Sequence, residues 1–479
     1  MEKFFNDSPI ARWTVLFIVA TAMMMGYFVN DVMSPLETLL EMPRSQGGLG
    51  WSPSDYGFFS GAGSFINVFL LMLFFSGIIL DKTGVRFTGI LACSLMVIGT
   101  LIKYYAVSAN VDAGISHFSF LISHFCLSPS VALAALGFAI FGVGYEMTGI
   151  TVSKAIVRWF SGHEMALAMG LQLAMARMGT AAALSISAPI ARHYSLSAPL
   201  LLAVGLLITG LLAFLVFCVM DRKLDKASLA NHSQISQISQ NPQKPQKPHQ
   251  PQKPHPTPSA ADDEEFRWSD IGVTLRSPGF WLITLFCVLF YSAVSPFLKF
   301  STKLLVVKYG VDADLAGFFS SIAPFGTMLL TPLFGYVYDR YGRGVTLVIT
   351  GAVMLAAVHF GFATPLPGTF SEGPVVAIAL MVLLSIGYAM APAALWPCVP
   401  KIIPMKCLGT ACSMIFFIQN FGRAIIPMIV GRANEQDPSY TTSMIIFGCT
   451  ATGAALVALA MLIVDRRKGY DLQLPNIRQ

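Results

Sequence analysis

The segment Gly77-Ile-Ile-Leu-Asp-Lys-Thr-Gly-Val-Arg86 follows one long apolar stretch, and Gly335-Tyr-Val-Tyr-Asp-Arg-Tyr-Gly-Arg343 follows another. Both copies place a glycine four residues before an aspartate, then a base, a second glycine and another base. The shared positions are Gly77, Asp81, Lys82, Gly84 and Arg86, and Gly335, Asp339, Arg340, Gly342 and Arg343. A glycine lets helices approach closely, and an aspartate at a helix end pairs with bases or with a helix N-terminus. The duplication therefore predicts a gating motif in each half of an internally repeated chain.

The composition around these segments is that of a membrane protein. Hydrophobic residues make up 55% of the 479 residues, charged residues make up 12%, and the mean hydropathy is +0.65. A soluble chain of this length needs far more surface charge. Apolar stretches long enough to cross a ~30 Å hydrocarbon core recur along the sequence. The pattern predicts an all-α membrane protein with twelve transmembrane helices, at about 12–40, 54–80, 86–107, 130–156, 166–190, 197–220, 279–304, 314–338, 345–364, 374–400, 407–431 and 440–464.

The predicted helices fall into two six-helix bundles with pseudo-symmetry. Gly144-Tyr145-Glu146 in the fourth span matches Gly387-Tyr388-Ala389 in the tenth, and an outer insertion around 108–128 accounts for the different spacing in the two halves. We expect an N-terminal bundle over 1–220, a linker over 221–278 and a C-terminal bundle with a short tail over 279–479. Asn241–Pro258 is rich in Pro, Gln and Lys and offers nothing to bury, which is typical of a disordered tether.

Charge and motif content narrow the function. The net charge is +6, but most Lys and Arg residues lie in connectors on the side of the termini, which predicts cytoplasmic termini and no nucleic-acid partner. The first apolar stretch lacks a small-residue cleavage site and is interpreted as a retained helix. The eight cysteines have neither disulfide nor zinc-ligand spacing. With no nucleotide-binding or catalytic motif present, we expect no metal, no cofactor and no enzymatic activity.

Two charges lie near mid-depth in neighbouring spans. Glu146 and Arg177 are each roughly 17 Å from the predicted cytoplasmic surface at 1.5 Å per residue. A charge at that depth costs at least ~2.5–3.5 kcal/mol, and buried ion pairs stabilise a fold poorly, so we expect a functional site. Because the two spans are consecutive, an ion pair between Glu146 and Arg177 is predicted. A zwitterion would divide that pair, with its ammonium on Glu146 and its carboxylate on Arg177.

Other polar residues lie within or at the ends of spans and complete the candidate substrate site. Asp31 ends the first apolar stretch and is either a second ammonium ligand or a solvated helix end. Lys299 and Arg423 add positive charge to the second half, where they either favour anionic groups or extend toward the outer surface. The remaining candidates are Asn67, Tyr291, Trp396 and Asn420, each of which packing or helix–helix hydrogen bonding would also explain.

The doubled motif resembles the loop signature of the major facilitator superfamily. Within it, FGVGYEMTGITVSKAIVRWFSGHEMALAMGLQLAMARMGT (141–180), YFVNDVMSPLE (27–37), SPGFWLITLFCVLFYSAVSPF (277–297) and GYAMAPAALWPCVPKIIPMKCLGTACSMIFFIQNFG (387–422) resemble the family of lysosomal dipeptide transporters known as major facilitator superfamily domain-containing protein one. The resemblance implies facilitative carriage of dipeptides by alternating access, with Glu146 binding the peptide N-terminus and Arg177 its C-terminus. It leaves open whether transport is linked to protons.

Two features depart from that family. Lys299 and Arg423 stand where its members tend to have uncharged residues, which favours acidic or anionic substrates. No sorting signal is visible, and the Asn-x-Ser sites at Asn6 and Asn231 lie on the predicted cytoplasmic side, so a bacterial inner membrane is favoured over a lysosomal membrane. A monomer without an evident accessory subunit is expected. The alternative function is an organic-anion exchanger of the oxalate and formate type that uses Arg177 with Arg423.

Overall fold

A computed structural model describes residues 8–108, 127–160, 164–239, 272, 275–364, 373–403 and 408–475. In these ranges the chain is helical throughout, apart from turns and short connections. The α-helices are α1 (Pro9–Asp31), α2 (Glu37–Glu41), α3 (Pro53–Ala62), α4 (Phe65–Phe69), α5 (Met72–Ser108), α6 (Pro129–Phe160), α7 (Met165–His193), α8 (Ala198–Ser239), α9 (Pro278–Tyr309), α10 (Ala313–Tyr341), α11 (Gly344–Ala363), α12 (Gly373–Ile402), α13 (Leu408–Gln436) and α14 (Thr441–Lys468).

The predicted transmembrane helices are confirmed, with one correction in the second span. Eleven described helices are individually long and apolar enough to cross a membrane. The predicted span 54–80 is not one helix: it consists of α3, α4 and the first part of α5. Gly84, with φ 79° and ψ 171°, ends that part and separates it from the third crossing within α5. Twelve crossings result, because α5 contributes to two of them.

The second span is broken where it packs against α6. A Cβ at Gly142 of α6 would lie 1.8 Å from the carbonyl oxygen of Gly63, so the two backbones touch at the break. Just beyond it, the Asn67 side-chain amide donates to the Gly142 carbonyl at 3.0 Å. Irregular backbone at membrane depth is tolerated where protein groups satisfy it. The break therefore places the polar residues Ser64 and Asn67 in the interior of the protein.

The repeat predicted from the sequence recurs in helix packing. In the first half, a Cβ at Gly99 of α5 would lie 2.5 Å from the Gly137 carbonyl of α6. In the second half, a Cβ at Gly351 of α11 would lie 2.8 Å from the Gly387 carbonyl of α12. Helices in lipid associate through such close contacts between small residues, because lipid tails supply no hydrophobic drive. Each half therefore contains a close glycine crossing between its third and fourth spans.

The two halves meet on the side opposite the chain termini. There α3 crosses α13 so closely that a Cβ at Gly57 would lie 2.8 Å from the Gly431 Cα, and α7 approaches α10 between the Leu184 carbonyl and Gly317. Toward the terminal side, Leu167 of α7 and Leu333 of α10 are 61% and 53% exposed. The halves are thus in close contact on the side of the membrane opposite the termini.

The sixth transmembrane helix extends into the segment predicted as a linker. α8 continues through Ser239, so the first part of 221–278 is helical. The predicted tether Asn241–Pro258 and most of the outer insertion 108–128 lie outside the described residues. The sixth span is apolar only in its first part, which is why hydropathy places its end near residue 220.

Candidate functional site

Glu146 lies at the middle of the protein and pairs with the opposite half. Nη1 of Arg423, from α13, donates to its Oε1 at 2.7 Å, and the two side chains are 18% and 22% exposed. The same guanidinium lies 3.4 Å from Oδ1 of Asn420 and 6.0 Å from the ring centre of Tyr145. A charged pair at this depth attracts strongly and is only partly dry, so a competing ion can reach it.

Arg177 lies on α7 and faces an aromatic ring rather than a carboxylate. Its guanidinium carbon is 4.9 Å from the ring centre of Tyr388, which is a cation–π distance. It forms no ion pair with any carboxylate in the part of the chain that the structure describes, so its planar fork is available for an anion.

The predicted ion pair between Glu146 and Arg177 is therefore wrong, and the partner of Glu146 is Arg423. The prediction used depth and chain neighbourhood, which bring α6 and α7 together but do not set how each helix is rotated. Arg423 comes from the far half and reaches Glu146 because the halves close around it. Arg177 instead lies beside the ring of Tyr388, the middle residue of the matching tripeptide in the second half.

Asp31 and Lys299 form a second pair between the halves. Lys299 Nζ lies 2.6 Å from Asp31 Oδ1 and also contacts the Asn30 carbonyl, while Thr180 donates to Asp31 Oδ2 at 2.9 Å. The two charged side chains are 12% and 9% exposed. Neither the solvated helix end considered for Asp31 nor the outward extension considered for Lys299 is what the structure contains. Their charges neutralise each other between α1 and α9.

Breaking this pair should destabilise the folded protein. We expect Lys299→Met to lower the free energy of unfolding by ~3–5 kcal/mol, because Asp31 is then left buried without a cation. The measurement is thermal unfolding of the purified chain in detergent. Adding Asp31→Asn should recover most of the loss. The control is Lys154→Gln, which removes the exposed partner of Asp81 and should lower the free energy of unfolding by at most ~1 kcal/mol. Equal losses of stability in Lys299→Met and Lys154→Gln would contradict the assignment.

Lys103, near the end of α5, is a buried lysine. It is 1% exposed, donates to the Val29 carbonyl at 3.3 Å and lies 4.7 Å and 4.6 Å from the ring centres of Phe138 and Phe141. The hydropathy of α5 near its end gave no signal for this burial. Its contacts point into the first half, so it packs α1 against α6 rather than facing the centre.

The predicted asparagines lie near the central pair in an interior network. Ser64, at the break of the second span, donates to Asn420 Oδ1 at 3.1 Å across the halves. Asn67 is 1% exposed, and its Oδ1 has no hydrogen-bond partner in the described ranges. The remaining predicted residues form an aromatic group, in which Trp396 donates to the Tyr291 hydroxyl at 3.3 Å and stacks on Phe416.

The repeated motif lies on the terminal side of both halves. Asp81 pairs with Lys154 of the same half at 2.5 Å, Arg86 pairs with Asp225 at 2.6 Å, and Lys82 is exposed. A Cβ at Gly77, Gly84 or Gly335 would meet no atom within 4 Å. In the second copy, Arg340 donates to Tyr336, Asp339 is half-buried, and Gly342 and Arg343 have φ of 72° and 62°. The two motif glycines Gly77 and Gly335 are thus free to approach other backbone.

The sequence matches the Major Facilitator Superfamily over residues 113–427. The chain therefore belongs to this superfamily of membrane carriers. Its fold agrees: the chain is similar to a peptide transporter POT in complex with sulfate (TM-score 0.67, 14% identity, 98% of this chain and 97% of that one) and to a D-xylose–proton symporter (TM-score 0.65, 16% identity, 94% and 97%).

Particular relatives are more informative than the fold. The chain is 25% identical to the human lysosomal dipeptide transporter MFSD1 over 414 residues, which cover 84% of this chain and 77% of that protein. It is 26% identical to the chicken protein of the same name over 351 residues, 71% of each. The resemblance predicted from the sequence is confirmed. This is a multi-pass secondary transporter of a small-molecule substrate, and not an enzyme.

Proposed function

We propose that this chain carries dipeptides by alternating access, with Glu146 binding the peptide ammonium and Arg177 its carboxylate. The observation that supports this most is that Glu146 is paired with a cation, whereas Arg177 is not paired with an anion. Arg177 has no carboxylate partner in the described ranges, whereas Glu146 holds a cation that a substrate ammonium can replace. A zwitterionic substrate supplies a carboxylate for Arg177 and an ammonium that can replace Arg423 on Glu146. The relatives named as dipeptide transporters point to the same substrate class.

The transport cycle follows from the contacts between the halves. Closure of α3 on α13 seals the side opposite the termini, and the positive charge near the termini supports a cytoplasmic location for them. The described state would then be open toward the cytoplasm. We propose that the motif glycines Gly77 and Gly335 meet other helices when that side closes. The division into bundles over 1–220 and 279–479, joined by the linker 221–278, is part of the same proposal.

The experiment that tests the substrate class is a thermal-shift panel on the detergent-solubilised chain, followed by uptake into liposomes. Ala-Ala should raise the unfolding temperature, because a ligand that binds only the native state stabilises it. Alanine alone should have little effect, since its ammonium and carboxylate are one residue apart and the proposal assigns the ends of a dipeptide to Glu146 and Arg177. Stabilisation by oxalate or succinate without any by Ala-Ala would instead support the organic-anion exchanger, with Arg177 and Arg423 as the anion site.

A further inference from the structure

The central site has more positive than negative charge. Among the described residues at its level, Arg177 and Arg423 are cationic, and Glu146, which pairs with Arg423, is the carboxylate. Asp31 does not alter this balance because Lys299 already neutralises it at 2.6 Å. Lys103 lies against a carbonyl and two phenyl rings within the first half. A zwitterionic dipeptide has no net charge and would leave the excess in place.

Binding of a neutral dipeptide has a specific consequence for Arg423. When the substrate ammonium pairs with Glu146, the Arg423 guanidinium is left with two contacts, Asn420 Oδ1 at 3.4 Å and the ring centre of Tyr145 at 6.0 Å. Neither group is charged. A cation left without a counter-ion in a desolvated site is costly, so a neutral substrate forfeits part of its binding energy.

We infer that the preferred substrates are dipeptides whose N-terminal residue is acidic. This rests on the proposed function. Arg423 lies 2.7 Å from Glu146, the carboxylate that binds the substrate ammonium. A substrate anion that replaces Glu146 as the partner of Arg423 must therefore lie close to that ammonium. The side-chain carboxylate of an N-terminal Asp or Glu is within a few bonds of the ammonium. That of a C-terminal residue lies on the Arg177 side. An N-terminal Lys would place a second cation beside Arg423.

The test compares Glu-Ala with Gln-Ala, which has the same shape without the charge, and adds Ala-Glu and Lys-Ala. Dissociation constants for the full chain are measured by thermal shift, and uptake is measured in liposomes. Glu-Ala should bind about tenfold or more tightly than Gln-Ala, since a hydrogen-bonded charge contributes ~1.5–3 kcal/mol. Ala-Glu should gain less, and Lys-Ala should bind most weakly.

The variants assign the preference to one residue. Arg423→Gln should bind Glu-Ala and Gln-Ala equally, whereas Arg432→Gln, an exposed arginine on the same helix, should keep the wild-type ratio. If Arg423→Gln does not fold, the comparison of Glu-Ala with Gln-Ala in the wild-type chain still decides. Equal binding of those two by the wild type, or an unchanged preference in Arg423→Gln, overturns this inference and leaves dipeptide transport intact. Binding of no dipeptide at all would refute the proposed function instead.

Discussion

Glu146→Gln should weaken dipeptide binding about 100-fold, equivalent to ~2.7 kcal/mol, because the substrate ammonium loses its counter-ion in a poorly solvated site. The effect should be confined to the N-terminal end of the substrate. In the wild type, acetylation of Ala-Ala should cost about as much as the mutation does. In Glu146→Gln, acetylation should cost almost nothing more, since the interaction it removes is already absent.

Arg177→Gln is the matched variant for the other end of the peptide. It should lose a similar amount for Ala-Ala and become insensitive to conversion of the C-terminus to an amide, while remaining sensitive to acetylation. Since Glu146→Gln also leaves Arg423 without its 2.7 Å partner, Glu146→Gln with Arg423→Gln serves as the stability control. If acetylation and amidation reduce binding equally in both single variants, the two ends have been assigned wrongly.

Gly57→Leu should strongly reduce transport while sparing substrate binding. A Cβ at this position would lie 2.5 Å from the Pro427 carbonyl oxygen and 2.8 Å from the Gly431 Cα. Both obstructing atoms belong to backbone, so no side chain can move aside and α3 cannot close on α13. A clash worth ~1–3 kcal/mol shifts the population of the closed state roughly 5–150-fold. Uptake into liposomes should fall accordingly.

The control for this variant is Gly205→Leu on α8, where a Cβ would meet no atom within 4 Å. It should transport normally. Hydrogen exchange separates a failure to close from a failure to fold, because only α3 and the outer part of α13 should exchange faster in Gly57→Leu. Normal uptake by Gly57→Leu would mean that this contact is not part of the transport cycle.

Hydropathy and the duplicated motif were sufficient to predict the helices, the repeat and the membrane location. Hydropathy is a property of the chain itself, and any stretch long enough to cross the lipid must form a helix that satisfies its own backbone. Hydropathy did not predict the break in the second span, because Ser64 and Asn67 are two polar residues within an otherwise apolar stretch. The break depends on how closely Gly142 of α6 approaches Gly63.

The tyrosines beside the central arginines have a signal in the sequence. Tyr145 and Tyr388 are the middle residues of the two matching tripeptides, Gly144-Tyr145-Glu146 and Gly387-Tyr388-Ala389. Aromatic residues at equivalent positions of a repeat lie on opposite sides of the centre, and here each lies beside a cation, Tyr388 beside Arg177 and Tyr145 beside Arg423.

The sequence by itself determined that Glu146 and Arg177 are charges at membrane mid-depth, because depth follows from helix length and rise. Only the tertiary structure decided their partners. Pairing depends on helix rotation and on which half closes against which, and neither is encoded in the local pattern. Tertiary packing pairs Glu146 with Arg423 at 2.7 Å and Asp31 with Lys299 at 2.6 Å, and Arg177 lies beside the ring of Tyr388.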